Sequence, residues 1–336
     1  MQMLLKAGRS VPVDVLAVIV AYNSEAVLSR CVTALVAAAD QLRNARGAGT
    51  ALVVVDNASR IPASTPDVGI PIATLRLGQN LGFAPAANLG AEQGHSRLIL
   101  FLNPDAELER SALTRLVEAF DEPLTAVAGP LLVRSDGEPM VSERPFHSLR
   151  RELRTQLLPS RRRAAFGQYA WSSGRGRCLS GACILVERRF FESAGGFDVA
   201  IRMYLEDVEL CWQAHAAGRH VRFVPTARCT HGLGLSSDGE SFDSRVDLHL
   251  TLLGARVEFV RRRSGALVAK LMRAVIAIGA IGRTVVAVVA GRGWRRHISV
   301  LHWAMTDGHA PSWDSFQAAS SGSATSIWPR LRRDLT

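Results

Sequence analysis

Three short apolar runs recur in the first hundred residues, Val15 to Tyr22, Ala51 to Val55 and Leu98 to Leu102. Each stops on a polar cluster, respectively Tyr22-Asn23, Asp56-Asn57 and Asn103-Pro104-Asp105. Runs of this length, apolar throughout rather than alternating, are what parallel strands covered on both faces require. After the first run, Asn23-Ser24-Glu25 supplies caps for a helix whose apolar positions Val27, Cys31, Leu35 and Ala38 recur at helical spacing. A third strand near Thr74 to Leu77 and a helix around Pro85 to Gln93 complete the series. Strand, helix, strand in this order predicts right-handed crossovers and an α/β fold, an open parallel sheet flanked by helices. Ligands of such sheets sit outside the carboxyl ends of the strands, so the three polar clusters are expected to converge there.

Beyond Gly129 the pattern loosens. Pro139, Pro145, Pro159 and two arginine-rich patches, Arg150 to Arg154 and Arg161 to Arg163, predict a long excursion rather than core. Order returns with Cys178 to Val186, read as one strand containing Ser180-Gly181-Ala182. A short helix from Glu187 to Ala194, the turn Gly195-Gly196-Phe197-Asp198, a helix from Leu205 to Ala217 stopped by Gly218, and a strand from His220 to Val224 follow. The expected organisation is one α/β domain over 1–262, an apolar and basic helical region with C-terminal amphipathic helices over 263–310, and a flexible tail over 311–336.

The net charge of +10 comes largely from arginine clusters and calls for a polyanionic partner: nucleic acid, anionic lipid headgroups or a phosphorylated substrate. Single-strand nucleic-acid modules interleave basic residues with stacking aromatics; at 6% aromatic content no such pattern accompanies these clusters, so no nucleic-acid partner is expected. The five cysteines form no CxxC pair, which argues against a zinc ribbon or a disulfide framework. The N-terminus does not read as a secretory signal, so catalysis is expected in the cytoplasm. Ala266 to Ala290 is apolar enough to resemble a membrane span, but Lys270, Arg273 and Arg283 interrupt it at roughly 2.5 to 3.5 kcal/mol each near a bilayer centre. Helices lying on an anionic membrane surface, at the inner face of the cell membrane, are the expectation. Monomer and oligomer both stay open.

The chemistry-bearing residues follow from the edge of the sheet. An acid at the exposed end of a buried strand can hold a hard divalent cation, and that cation a diphosphate; Asp105 is the candidate ligand, with Asn103 beside it and Pro104 fixing the turn. Alone, this tripeptide also reads as an ordinary Asx-type turn. In the helix opening at Leu205, Asp207 shares a face with Leu210, Cys211 and Ala214, which turns its carboxylate toward the protein, as a general base requires. A dipole-stabilising acid in the first turn is compatible with the same position. Glu206 is the second catalytic candidate and, with Glu209, sits nearer the rim. His231, between a strand and a glycine-containing loop, could complete a metal's coordination. The turn after the first strand is not the glycine-rich fingerprint of a nicotinamide-dependent dehydrogenase, and the GxxxxGK[ST] of a nucleotide kinase is absent.

Taken together, VIVAYNSE (Val18 to Glu25), VVDNAS (Val54 to Ser59), NLGFAPAANLG (Asn80 to Gly90), FLNPDA (Phe101 to Ala106), SGACILV (Ser180 to Val186), GGFD (Gly195 to Asp198) and MYLEDVEL (Met203 to Leu210) resemble family-2 glycosyltransferases of the GT-A fold, most nearly bacterial rhamnosyltransferases. The likeness covers about residues 14 to 262. It implies an inverting enzyme that uses a nucleotide sugar and a divalent cation, Mn2+ or Mg2+. Tyr22, Asn23 and Glu25 match the first nucleotide-contacting segment, Asp56, followed by Asn57, matches the carboxylate that reads the base, and Asn80, Gly82 and Asn88 match the segment beneath ribose and diphosphate. Asp105 matches the last acid of the metal-binding triplet, Asp207 the catalytic base, and His231 a histidine of the metal site in several relatives. Asn103 stands where many members carry an aspartate, which would leave the metal held by fewer charges. Ile201-Arg202-Met203-Tyr204 replaces the aromatic pair frequent in rhamnosyltransferases.

The expected reaction is direct displacement onto a hydroxyl of a glycan or lipid-linked acceptor in cell-wall or surface-polysaccharide assembly, with dTDP-rhamnose the best match as donor. The alternative is a noncatalytic protein on the same fold, binding nucleotide sugar or acting as a scaffold in a polysaccharide assembly complex. Such a relative would be expected to have lost Asp105 or Asp207 first.

Overall fold

The computed structural model describes residues 13–66, 68–157, 177–201, 205–232, 242–291 and 295–306, with the side chains of 242–248, 295 and 296 outside that description. The 311–336 tail, the Arg161 to Arg163 patch and the segment Arg202-Met203-Tyr204 lie outside it.

The first half of the sheet follows from burial on both faces. β1 (Val13–Ala21), β2 (Gly49–Asp56) and β4 (Leu98–Leu102) are almost wholly enclosed, and with β3 (Ile72–Arg76) they run parallel in the order β3-β2-β1-β4. α1 (Glu25–Arg46) turns Val27, Leu28, Cys31, Val32, Leu35 and Leu42 onto this sheet and ends at Gly47, whose φ of 67° closes the helix. α2 (Phe83–Ala91) approaches so closely that a Cβ on Gly90 would stand 2.5 Å from Val18 Cγ1 and 2.9 Å from Val55 Cγ2.

The second half departs from the purely parallel expectation. Thr125–Val133, whose second half falls in the stretch beyond Gly129 expected to leave the core, is β6, a nine-residue strand buried at every position. The expected single strand from Cys178 to Val186 is two: β8 (Arg177–Leu179), which pairs with β7 (Glu143–Pro145) in a separate two-stranded sheet, and β9 (Cys183–Glu187), which runs antiparallel between β4 and β6. The small residues Ser180-Gly181-Ala182 carry the chain from one sheet to the other. β10 is longer than expected, His220–His231, and has an irregular register at Val224 to Arg228; it pairs parallel with β6 and antiparallel with the short β5 (Ala106–Leu108). The complete order is β3-β2-β1-β4-β9-β6-β10-β5. α3 (Ala112–Glu118), α5 (Arg188–Ser193) and α6 (Glu206–Ala216) accompany these strands.

The chain divides into two compact units, one of Met1–Phe146, Gly167–Arg202 and Glu206–Ser236, the other of His147–Phe166, Met203–Leu205 and Ser237–Thr336. The second is helical where described: α4 (Leu149–Leu157), α7 (Phe242–Ser264), α8 (Ala266–Val289) and α9 (Arg295–Met305). The apolar stretch of the sequence is α8, unbroken, and by length and composition it alone among the described helices could cross a membrane. Ala269, Met272, Ile276, Ala280 and Ala287 form its buried side.

Candidate functional site

The carboxyl ends of β1 and β2 are tied into one platform. Asn23 adopts a left-handed φ of 50°, donates its backbone N–H to Ser59 Oγ at 3.0 Å and accepts the Arg60 N–H on Oδ1 at 2.9 Å. Ser24 precedes α1 and its hydroxyl donates to the Tyr22 carbonyl; Tyr22 and Glu25 are exposed beside it. Asp56, fully buried, accepts from the Ser59 N–H on Oδ1 and from the Ala63 N–H and Arg76 Nη1 on Oδ2. Burial opposes its charge, but those two amides and Arg76 outweigh it and hold the carboxyl below the usual carboxylate range. Asp56 therefore organises its own loop. Arg76, half-exposed and also donating to the Ser59 carbonyl, is a charged group that this end of the sheet presents to solvent.

A second tie runs through amides. Asn57 donates Nδ2 to Asn80 Oδ1 and to the Gly82 carbonyl, and accepts the Leu81 N–H. Gly82, at φ 84° and ψ 176°, opens α2 in a conformation that side chains avoid. Asn88 is turned elsewhere: its Oδ1 accepts from the Phe197 N–H and its Nδ2 donates to the Phe197 carbonyl, both at 2.9 Å, so the side chain clamps the Gly195-Gly196-Phe197-Asp198 turn. Of the residues expected along this segment, Asn57, Asn80 and Gly82 lie together and Asn88 is engaged with backbone.

At the end of β4, Asn103, Asp105 and His231 meet. His231 Nε2 lies 3.2 Å from Asp105 Oδ1 and 3.3 Å from Asn103 Nδ2. The register of β5 against β10 makes the contact, since His231 pairs with Ala106 and the Gly232 N–H reaches the Asp105 carbonyl. Among the described residues no group of three or more His, Cys, Asp or Glu side chains gathers as a metal site. A cation here would find one carboxylate, one imidazole and the Asn103 amide. The carboxylate and amide oxygens suit Mn2+ or Mg2+, the imidazole being the donor that a hard ion prefers least, and so few protein donors suit an ion completed by substrate oxygens and water.

Asp207, 6% exposed in the first turn of α6, is held from three directions. Gly181 N–H donates to Oδ2 at 2.8 Å, Val208 N–H donates to Oδ1 at 2.8 Å, and Arg144 Nη2 reaches Oδ2 at 3.1 Å and Oδ1 at 3.4 Å. Burial pulls on the Arg144 guanidinium, yet the Asp207 charge outweighs it and raises its pKa. One residue along from Gly181, the Ala182 carbonyl accepts the Asn103 N–H at 2.9 Å. The Asp207 carboxylate and the Asn103 turn thus hang from two adjacent residues, Gly181 and Ala182. Glu206, expected at the rim, is instead partly enclosed, with no partner for Oε2 among the described residues; burial first, then the Asp207 charge, pushes its carboxyl up to about 8.

Arg144, Arg76 and the Gly181 amide are the site groups that sequence reasoning missed. Arg144 stands in the stretch read as an excursion, Arg76 sits in a predicted strand with nothing local to mark its partner Asp56, and a backbone amide has no signature in sequence.

Residues 16–193 match the family model described as Glycosyl transferase family 2. The chain is 28% identical over 210 residues to the N-acetylglucosaminyl-diphospho-decaprenol L-rhamnosyltransferase of Mycobacterium tuberculosis, covering 54% of this chain and 66% of that protein. To the Pre-mycofactocin glycosyltransferase of the same organism it is 29% identical over 223 residues, 65% of this chain and 42% of the other. The chain therefore spans less than two thirds of either relative. Among solved structures, a mannosyltransferase from Pyrobaculum calidifontis in complex with GDP-Man and Mn2+ superposes with a TM-score of 0.52 at 12% identity, covering 89% of this chain and 88% of that one; the likeness is one of fold.

Proposed function

The chain belongs to glycosyl transferase family 2, and we propose that it is an inverting transferase, moving L-rhamnose from dTDP-rhamnose to a hydroxyl of a lipid-linked glycan in cell-wall or surface-polysaccharide assembly, at the cytoplasmic face of the membrane. The donor and acceptor follow the name of the mycobacterial relative and rest on 28% identity. The observation that supports the transfer reading is a pair of neighbouring anchors: Gly181 anchors Asp207 while the next residue, Ala182, anchors the turn bearing Asn103 and Asp105.

In this reading Asp207 removes the proton of the acceptor hydroxyl as its oxygen attacks the anomeric carbon and the bond to the departing diphosphate breaks. Attack opposite the leaving group inverts the anomeric configuration. Oδ1 is the oxygen with room for that proton, because its second donor is distant at 3.4 Å. Arg144 and Gly181 fix the carboxylate without occupying that position. A divalent cation held by Asp105 and His231, with Asn103 beside them, would offset the diphosphate charge. Arg76, beside Asp56, is poised to meet the nucleotide base or its ribose. The test is donor-dependent release of nucleoside diphosphate across a panel of nucleotide sugars with Mn2+. If no nucleotide sugar binds or turns over, the proposal fails.

A further inference from the structure

The outward side of α8 is apolar over its whole length. Leu267, Leu271, Ile278, Ile281, Val285 and Val289 are all exposed, from 48% at Leu271 and Ile281 to 84% at Val289. At 100° per residue they fall within about a third of the helix circumference, so they form one stripe of some six turns rather than scattered residues. A stripe of this size is not ordinary solvent-facing surface.

The two arginines of α8 face the other way and are committed within the helical unit. Arg273 donates to the Trp303 and Ala304 carbonyls, each at 3.2 Å, and to that of Thr306, closing the end of α9, and its guanidinium lies 5.6 Å from the Trp303 ring centre. Arg283 donates to Gln156 of α4. Pulling α8 across a bilayer would strip both arginines of these partners and lose the packing of Met272 and Ile276, at a charge cost the apolar side would have to offset.

Charge decides what covers the stripe. Between residues 259 and 306 the sequence carries nine arginines and lysines and no aspartate or glutamate. Arg261 and Arg262, at the end of α7, share Glu258, and Lys270 is exposed on the flank of the stripe. Two copies packed stripe to stripe would bring these cations together with no acid between residues 259 and 306 to offset them, Glu258 being already shared by Arg261 and Arg262. A layer of anionic headgroups supplies the counter-charge and, beneath it, an apolar phase.

We infer that the Leu267-to-Val289 face of α8 docks the chain on an anionic lipid surface, the helix lying in the plane of the headgroups with its cations at the phosphate level. The proposal deepens the membrane-side location given above; its measurement needs neither donor nor acceptor, so either reading can fail alone. Vesicles of phosphatidylcholine alone, and of phosphatidylcholine with phosphatidylglycerol in equal parts, are sedimented with the full-length chain at low and high salt. Binding is expected to the anionic vesicles, weakening as salt rises. Ile278→Glu with Val285→Glu should cut the bound fraction about tenfold or more, with circular dichroism unchanged. Equal binding to both vesicle types overturns the proposal without reference to any variant. So does a bound chain that alkaline carbonate fails to extract, which would mean a crossing helix, or a stripe variant that turns a dimer into a monomer and leaves vesicle binding intact.

Discussion

Arg144 Nη2 lies 3.1 Å from Oδ2 of Asp207, joining a strand of the small two-stranded sheet to the first turn of α6. The pair is mostly removed from water, with side-chain exposures of 30% and 8%. Such a pair costs desolvation to form and more to break, because removing one member strands the other. Arg144→Met should lower kcat about tenfold to a hundredfold with the donor KM little changed, since a misaligned base loses rate rather than ground-state binding. Arg144→Lys should recover part of it. Steady-state kinetics check this, and a KM effect equal to the kcat effect would assign Arg144 to donor binding instead.

Asp207→Asn removes the proton acceptor, and its single Oδ1 keeps one of the two amide contacts that Gly181 and Val208 make to separate oxygens of the carboxylate. Turnover should fall by about a hundredfold to ten-thousandfold, and thermal stabilisation by nucleotide sugar should survive. Retained turnover would exclude Asp207 as the base.

Asp105→Asn and His231→Ala remove the two charged or imidazole donors at the end of β4. Each should weaken the cation dependence of donor-induced thermal stabilisation, by about tenfold to a hundredfold in apparent metal affinity, the aspartate more. A chelator should abolish that stabilisation in the parent chain and change little in the double variant.

Glu206 makes stability depend on pH. Its carboxyl rises from an ordinary 4.5 to about 8, so between those values the folded chain keeps a proton that the unfolded chain has released. Stability contributed by this group is therefore full below pH 4.5 and falls as pH rises to about 8. Glu206→Gln removes the fall. Melting curves should show the variant gaining on the parent across that window, by about 2 °C or more at the upper end, and parallel curves would refute it.

Gly90→Ala adds a methyl where α2 touches β1 and β2. With Val18 at 2.5 Å and Val55 at 2.9 Å, neither side chain can turn away within the buried sheet, so a loss of about 1 to 3 kcal/mol is expected in denaturant unfolding.

The half of the fold that was legible is the half whose strands are enclosed on both faces. β1, β2 and β4 announce themselves as unbroken apolar runs, and the polar ends that follow them must share an edge once the strands run parallel. β6 was hidden by Gly129 and Pro130, which read as loop but lie in a strand flanked by partners on both sides. β8 and β9 merged in the sequence because Ser180-Gly181-Ala182 has the small apolar character of a strand, while its backbone bonds point to two different places. Asp105 and His231 could be named from the family pattern, but their contact depends on the β5–β10 register, which no local signal encodes. Arg144 was beyond reach for the same reason: its role is set by a partner 63 positions away.

The Gly181-Ala182 pair imposes a phase on this edge of the sheet. Inserting or deleting one residue there would put the two anchors out of step, shifting either the carboxylate or the Asn103 turn by a full peptide length. A change toward new acceptors therefore has to keep this three-residue crossing at constant length.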